Sequence, residues 1–201
     1  MNINTTFITS DTHYGHSKII QYSNRPFKNV DEMDEALIFN HNSKVRSSDT
    51  VIHVGDFAFA EANRVKQILD RLNGKMIFIP GNHDKVFVKN PQLFDRFENA
   101  AALREISKNS NSSNLGLHME LTYYSGKMRN SIFISHYCNL VWNKSHRGAL
   151  MLHGHSHGSL RHPYPMRAMD IGVDPQHYFP VKLAAAVKLL EAIPIHKVDH
   201  H

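Results

Sequence analysis

Short apolar runs alternate with amphipathic segments along this chain. Residues 6–9, 51–54, 76–80, 132–134 and 149–152 form apolar runs with the length and composition of buried strands. Apolar residues at helical spacing predict helices over 31–45 and 61–72, the first with Asp31 as its N-cap. The first part of the chain therefore alternates between strand and helix, which is typical of α/β proteins.

The period changes after about residue 101. Residues 117–124 and 128–134 predict two strands joined by a turn at Ser125-Gly126-Lys127, and 166–173 predicts a further strand before a final helix over 183–190. Segment 91–97 reads as a short helix or turn, and the Ser/Asn-rich segment 109–114 as a surface loop. Helical units followed by hairpin strands favour an α/β fold in which two sheets pack together with helices outside.

The composition is that of a globular protein with 201 residues, 41% hydrophobic and 20% charged. We expect one domain over 1–199. His200 and His201 are either native residues or the remnant of an affinity tag, and we do not count them among the candidate site residues. No apolar run is long enough for a bilayer, no signal peptide is visible, and a single cysteine fits a reducing compartment, so we predict a cytoplasmic location without a membrane partner. The formal charge of +5 includes no dense basic run, so nucleic acid is not indicated as a partner, and the oligomeric state is not readable.

Residues able to bind metal follow five of the apolar runs. The groups are Asp11-Thr12-His13, Gly55-Asp56, Gly81-Asn82-His83-Asp84, Ser135-His136 and His153-Gly154-His155-Ser156-His157. Because open α/β sheets build their sites at one strand edge, we expect these groups to converge there. Carboxylate and imidazole together suit Mn, Fe, Zn or Co better than calcium.

The order of these motifs resembles the signature of calcineurin-like metallophosphoesterases, and the resemblance runs from Phe7 to Gly158. Stretches such as Asp11 to His16 and Arg25-Pro26-Phe27 are similar to a small bacterial and phage subgroup. The resemblance implies a four-layer α/β/β/α sandwich, the calcineurin-like metallophosphoesterase fold. It also implies two divalent ions, with Mn as our first choice and Fe, Zn, Ni, Co or Mg as alternatives.

The same resemblance implies a role for each motif residue. One ion would be held by Asp11, His13, Asp56 and His157, and the other by Asp56, Asn82, His136 and His155. Asp56 would bridge the ions, and His83 would face the substrate. A carboxylate can bridge two ions whereas an imidazole cannot, which supports this role for Asp56. We therefore name Asp56 and His83 as the catalytic residues.

Further residues are candidates for substrate binding beside Asn82 and His83. His16 can reach a phosphate or tune the ligands, or it can be a polar residue at a helix N-terminus. Arg25 can grip a phosphate as a planar fork, or it can be a surface arginine on a loop. Asp84 could orient His83, although adjacent side chains diverge, and we read Cys138 as structural because it lacks a clear metal position.

The function we predict is hydrolysis of a phosphodiester by metal-activated hydroxide. The alternatives are a phosphomonoesterase acting on a nucleotide or small molecule, a nuclease, and a non-catalytic scaffold with this fold. The expected partner is a phosphate ester, nucleotides included.

Overall fold

The computed structural model describes residues 1–108, 116–126 and 128–197. The strands are β1 Thr6–Thr9, β2 Thr50–His53, β3 Lys75–Phe78, β4 His118–Ser125, β5 Met128–Ser135, β6 Leu150–His153, β7 Ala168–Asp170 and β8 Val181–Lys182. The α-helices are α1 Ser17–Tyr22, α2 Val30–Lys44, α3 Ala62–Arg71, α4 Lys85–Lys89, α5 Ala100–Lys108 and α6 Leu183–Glu191. Within these ranges, three short 3-10 helices cover Ile3–Thr5, Pro91–Arg96 and Ser145–Arg147.

The first sheet has the strand order β3-β2-β1-β8. β1, β2 and β3 are parallel, and β8 runs antiparallel along β1. Helix α3 packs on this sheet through Val65, Ile68 and Leu69, which recur at helical spacing and are buried. Helix α2 begins one residue earlier than predicted because Asn29, not Asp31, is its N-cap, and the Asn29 side chain accepts a hydrogen bond from the Glu32 N–H.

The second sheet has the strand order β4-β5-β6-β7. β4 and β5 form the predicted antiparallel hairpin, and β5, β6 and β7 are parallel. The side chains of β5 alternate: Ile132 and Ile134 enter the core that contains Ile8 of the first sheet, whereas Phe133 packs on the opposite face with Trp142 and Met166. Helix α6 joins the core with Ile132 through Leu183, Ala186, Val187 and Leu190.

The predicted fold class, an α/β sandwich of two sheets with helices, is confirmed. The strands and the longer helices lie within a few residues of their predicted bounds, whereas α1, α4, α5 and β8 were not predicted. The predicted loop 109–114 lies outside the described residues, as does Lys127 of the predicted turn. The domain bounds 1–199 stay a prediction. Within the described ranges, no helix combines the length and the apolar character needed to cross a membrane.

The ends of the parallel strands bring the predicted motifs together. Asp11 follows β1, Asp56 follows β2 and His136 follows β5 directly. A bridge between Ser10 and Gly172 connects the end of β1 to the segment after β7, so the edges of the two sheets meet there. This common edge is where the fold places its concentration of histidine and aspartate side chains.

Candidate metal centre

Six of the predicted ligands form two clusters at the common edge. Asp11, His13 and His157 form the first cluster, and Asp56, His136 and His155 form the second. Within each cluster, one ligand atom from each residue lies within 4.8 Å of the other two. The geometry therefore divides the ligands as the family resemblance implies, with a carboxylate and two imidazoles on each side.

Asp56 faces both clusters at once. Its Oδ2 lies 3.6 Å from Nε2 of His13, and its Oδ1 lies 3.5 Å from Nε2 of His136. Each carboxylate oxygen therefore points at a different cluster. This is the placement that a bridging ligand between two cations requires.

The backbone at the ligands is strained in a shared way. Five of the predicted ligands have φ in the left-handed region: Asp11 (56°), His13 (52°), Asp56 (53°), His155 (68°) and His157 (47°). Non-glycine residues adopt this region rarely, and such strain concentrates at functional sites because the surrounding structure must hold it in place. The fold therefore imposes these turns, which aim the side chains at the common edge.

Two glycines make room for the carboxylates. A Cβ on Gly81 would lie 2.3 Å from Oδ1 of Asp56, and a Cβ on Gly154 would lie 2.6 Å from Oδ2 of Asp11. Any larger residue at either position would displace a ligand. The glycines in the Gly-Asn-His-Asp and Gly-His motifs are therefore part of the site's geometry.

Burial and neighbouring charge set the protonation of the ligands. Burial raises the pKa of Asp11 to about 7 and lowers the pKa of His13 to about 2, since both side chains lie away from solvent. Burial also lowers the pKa of His136, but the opposite charge of Asp56 outweighs it and raises that pKa to about 9. The same pairing outweighs burial at Asp56 and holds the pKa of its carboxyl below the usual range.

The residues fit a pair of divalent cations. Nε2 of His13 is buried without a hydrogen-bond partner among the described residues, although it faces the cluster. A buried nitrogen with an unused lone pair is costly unless a ligand or cation satisfies it. The donors are imidazole nitrogens and carboxylate oxygens, a set that suits transition metals more than calcium.

Asn82 lies on the second cluster, as predicted. Its Oδ1 is 3.1 Å from Nε2 of His136 and accepts a hydrogen bond of the same length from the Tyr137 hydroxyl. Tyr137 is a residue at the site that was not predicted from the sequence. Its position directly after His136 is the sequence feature that could have indicated it, but a tyrosine next to a ligand more often packs on the core.

His83 lies at the mouth of the site and is exposed. Its ring centroid is 5.8 Å from that of His13, and its backbone N–H donates to Oδ1 of Asp56 at 2.9 Å. The ring borders a cavity of about 290 Å³ that is also lined by Phe59 and Lys85. The side chain is thus close to both clusters yet free to meet a substrate.

His16 also lies at this mouth. Its Nδ1 is 3.4 Å from Nδ1 of His13, and its ring stacks on Phe59 with centroids 4.5 Å apart. Burial lowers its pKa. A half-buried imidazole here can contact a bound phosphate while it limits the movement of His13.

Arg25 does not have the position that the sequence suggested. Its side chain is fully buried, and all five of its N–H groups are engaged by Asp174, the carbonyls of Asp11 and Thr12, and the sulfur of Met33. No donor is left for a substrate phosphate. Arg25 instead fixes the turn that carries the first two ligands, and its assignment to substrate binding is corrected accordingly.

Asp174 is a second residue at the site that sequence reasoning missed. Its Oδ2 lies 2.6 Å from Nδ1 of His157, while both of its oxygens accept hydrogen bonds from Arg25. A carboxylate on one imidazole nitrogen orients the ring so that the other nitrogen can bind metal. Asp174 follows the last predicted strand, as the ligands follow theirs, and this was the signal that could have found it.

Asp84 does not orient His83. The Asp84 carboxylate is buried and accepts hydrogen bonds from the N–H groups of Asp56, Phe57 and Gly81 at 2.7–2.8 Å. Burial, reinforced by the charge of Asp56, raises its pKa to about 7. It therefore holds the Gly55-Asp56 turn against the Gly81 turn, which positions the carboxylate of Asp56 between the two clusters.

Fold and site together define a metal-binding phosphoesterase architecture. The family model described as "Calcineurin-like phosphoesterase superfamily domain" matches residues 5–166, and the chain belongs to this superfamily. The membership predicted from the motifs is thereby confirmed.

Relatives of this chain extend over nearly its whole length. It is 30% identical over 198 residues to the uncharacterized protein MJ1445 of Methanocaldococcus jannaschii, covering 95% of this chain and 94% of that one. It is also similar to the crystal structure of AQ665, a protein of unknown function from Aquifex aeolicus. That likeness has a TM-score of 0.61 at 20% identity and covers 92% of this chain and 98% of the other. At that identity the second likeness supports the fold alone.

Proposed function

We propose that this protein hydrolyses phosphodiesters at a centre of two divalent metal ions. The observation that carries the proposal is the placement of Asp56, whose two oxygens face two separate clusters of ligands. The ions would be held by Asp11, His13 and His157 on one side and by Asn82, His136 and His155 on the other, with Asp56 shared. We propose Mn²⁺ as the first ion to test, with Fe, Zn, Ni, Co and Mg as alternatives.

The two ions would supply Lewis-acid neutralisation of the phosphate charge and a water nucleophile of lowered pKa. The chain's own residues would do the rest. His83 is fixed by its backbone hydrogen bond to Asp56, and its exposed ring can donate a proton to the leaving oxygen. His16, on the same side, can contact the phosphoryl group, while Asp84 and Arg25 hold the ligand turns in place.

Two cavities support a diester over a monoester. The cavity of about 290 Å³ lies on the His83 side, and another of about 250 Å³ is bordered by His136 and Tyr137. A phosphodiester carries two substituents, and the cavities bordered by His83 and by His136 offer space for both of them next to the ligands. Phosphomonoesterase, nuclease and non-catalytic scaffold remain the alternatives, and the cytoplasmic location stays a prediction.

The test is Mn²⁺-dependent hydrolysis of bis-p-nitrophenyl phosphate, with p-nitrophenyl phosphate and single-stranded nucleic acid in parallel. We expect the wild type to cleave the diester, Asp56→Ala to lose activity and bound metal, and His83→Ala to lose about 100-fold or more in kcat while it keeps its metal. His196→Ala, which alters an exposed histidine that stacks on Tyr164, serves as the matched control.

Each alternative has its own outcome in this experiment. Preference for the monoester would replace the diesterase with a phosphomonoesterase, and preference for nucleic acid would indicate a nuclease. Metal binding without hydrolysis of any of these substrates would contradict the proposed activity, and equal activity in wild type and His83→Ala would contradict the proposed role of His83. Absence of both metal and activity would favour the scaffold.

A further inference from the structure

A third group of metal-binding side chains lies beside the dinuclear site. Cys138, His153 and His162 each offer a ligand atom, and these three atoms lie within 4.8 Å of one another. His153 is the last residue of β6, Cys138 lies in the loop after β5, and His162 lies in the segment between β6 and β7. None of the three belongs to the two clusters described above, so their convergence needs its own explanation.

His153 is the fixed member of this group. The residue is fully buried on a strand, and its Nε2 has no hydrogen-bond partner among the described residues. Its Nδ1 lies 3.1 Å from the carbonyl oxygen of Gly154, which can accept the ring proton there and leave the lone pair on Nε2. A buried nitrogen with an unused lone pair is expensive unless a cation satisfies it.

The donor set selects a class of ion. One thiolate and two imidazoles are typical of zinc and of ions that share its affinity for sulfur, and they do not suit Mg²⁺, Ca²⁺ or Mn²⁺. In zinc sites the Zn–N distance is about 2.1 Å and the Zn–S distance about 2.3 Å, so ligand atoms lie within about 4 Å of one another. Cys138 and His162 lie outside regular helices and strands, and they can make the small inward movement that this geometry needs.

A free coordination position is available. Cys138 and His162 line a cavity of about 310 Å³, which leaves room for water as a fourth ligand on that side. Three protein ligands and a water complete the tetrahedral arrangement that zinc prefers.

We propose that Cys138, His153 and His162 form a third metal site of the zinc class, separate from the dinuclear centre. His155 and His157 lie between His153 and His162 in the sequence. An ion bound by His153 and His162 would join the two ends of this segment, and Cys138 would connect them to the loop after β5. The bound ion would stabilise the turn that carries one ligand of each ion of the proposed dinuclear centre.

The chain has one cysteine, which gives a specific test. Metal-free full-length protein is titrated with Co²⁺ while the near-ultraviolet thiolate-to-cobalt absorption is recorded. We expect this band in the wild type, its loss in Cys138→Ser, at least about tenfold weaker binding in His162→Ala, and displacement of the cobalt by Zn²⁺. His118→Ala, a change at an exposed histidine stacked on Phe133, is the matched control and should leave the band unchanged.

Other histidines cannot produce this signal, because they carry no sulfur. Asp56→Ala should keep the thiolate band although it damages the dinuclear centre, so this inference and the proposed function can fail separately. A wild type that binds Co²⁺ without a thiolate band would overturn the proposal, as would a band of unchanged affinity in His162→Ala. If Cys138→Ser does not fold by circular dichroism, the His162→Ala titration decides, because that residue lies on a half-buried loop.

Discussion

The two ligand clusters of the proposed dinuclear site, called here its first and second halves, are built differently. In the first cluster, Asp11 and His13 are buried, and a chain of hydrogen bonds from Arg25 through Asp174 fixes His157. In the second cluster, His155 is exposed. The side chain of Asn82 accepts a hydrogen bond from the hydroxyl of Tyr137, which is also exposed.

This difference separates two tasks that a metal centre must perform. The first half is preorganised: its ligands are held by groups that do not face the solvent, so little is lost in ordering them when a cation binds. The second half is more open to solvent, since His155, Tyr137 and the neighbouring His83 are exposed. We therefore expect the first half to bind its ion more tightly. Substitutions of the residues that hydrogen-bond to its ligands should lower metal affinity more than the equivalent substitutions in the second half.

The largest effect is expected from Asp174→Asn. The amide keeps the size of the side chain but removes the charge that orients His157 and neutralises Arg25, so affinity at the first metal position should fall about 10- to 100-fold. Two-step metal titration by calorimetry measures this, and one of the two steps should weaken. Asp31→Asn, at an exposed partner of Arg64, is the control. Equal weakening of both steps would show that Asp174 supports the whole fold instead of one half-site.

A smaller effect is expected from Tyr137→Phe behind the second half. The substitution removes one hydrogen bond to Oδ1 of Asn82, and a bond worth about 1 kcal/mol corresponds to roughly a fivefold change in affinity or kcat/KM. The same calorimetric titration should show it in the other binding step. Tyr124→Phe, on the exposed face of β4, is the matched control. A loss as large as that of Asp174→Asn would remove the distinction between the two halves.

The convergence of the candidate ligands could be predicted from sequence because their motifs follow recognisable strands. The strand runs have a clear period, and parallel strands must bring their ends to one edge, so Asp11, Asp56 and His136 are placed together by topology. The motifs then named the members of each cluster. His83 is exposed beside these clusters, and its catalytic role stays a prediction.

The support behind the ligands could not be predicted in the same way. Arg25 pairs with Asp174 across 149 positions, and nothing local in either segment indicates that pairing. Cys138 and His162 show the same problem, since only the folded loops bring them to His153. Helices α1 and α4 were missed because six and five residues are too few for a helical period to show, and short helices depend on tertiary packing.

The smallest effect is expected in helix α2, which packs against Arg25 next to the first half. Helix α2 carries Met33, which contacts Arg25, and also His41, a buried histidine whose Nε2 lies 2.9 Å from the carbonyl oxygen of Asn73. Burial lowers the pKa of His41 below its usual 6.5 despite that hydrogen bond.

Because the unfolded chain binds this proton more readily, the contribution of His41 to stability is present above pH 6.5 and is lost as the pH falls below it, with a slope of at most about 1.4 kcal/mol per pH unit. Urea unfolding of the metal-free protein between pH 7.5 and 5.5 measures this slope. His41→Gln should reduce the slope by at most the contribution of one bound proton, about 1.4 kcal/mol per pH unit. His118→Gln, at an exposed histidine, should leave the slope unchanged. If the free energy of unfolding depends on pH equally in wild type and His41→Gln, His41 does not contribute to the loss of stability in acid.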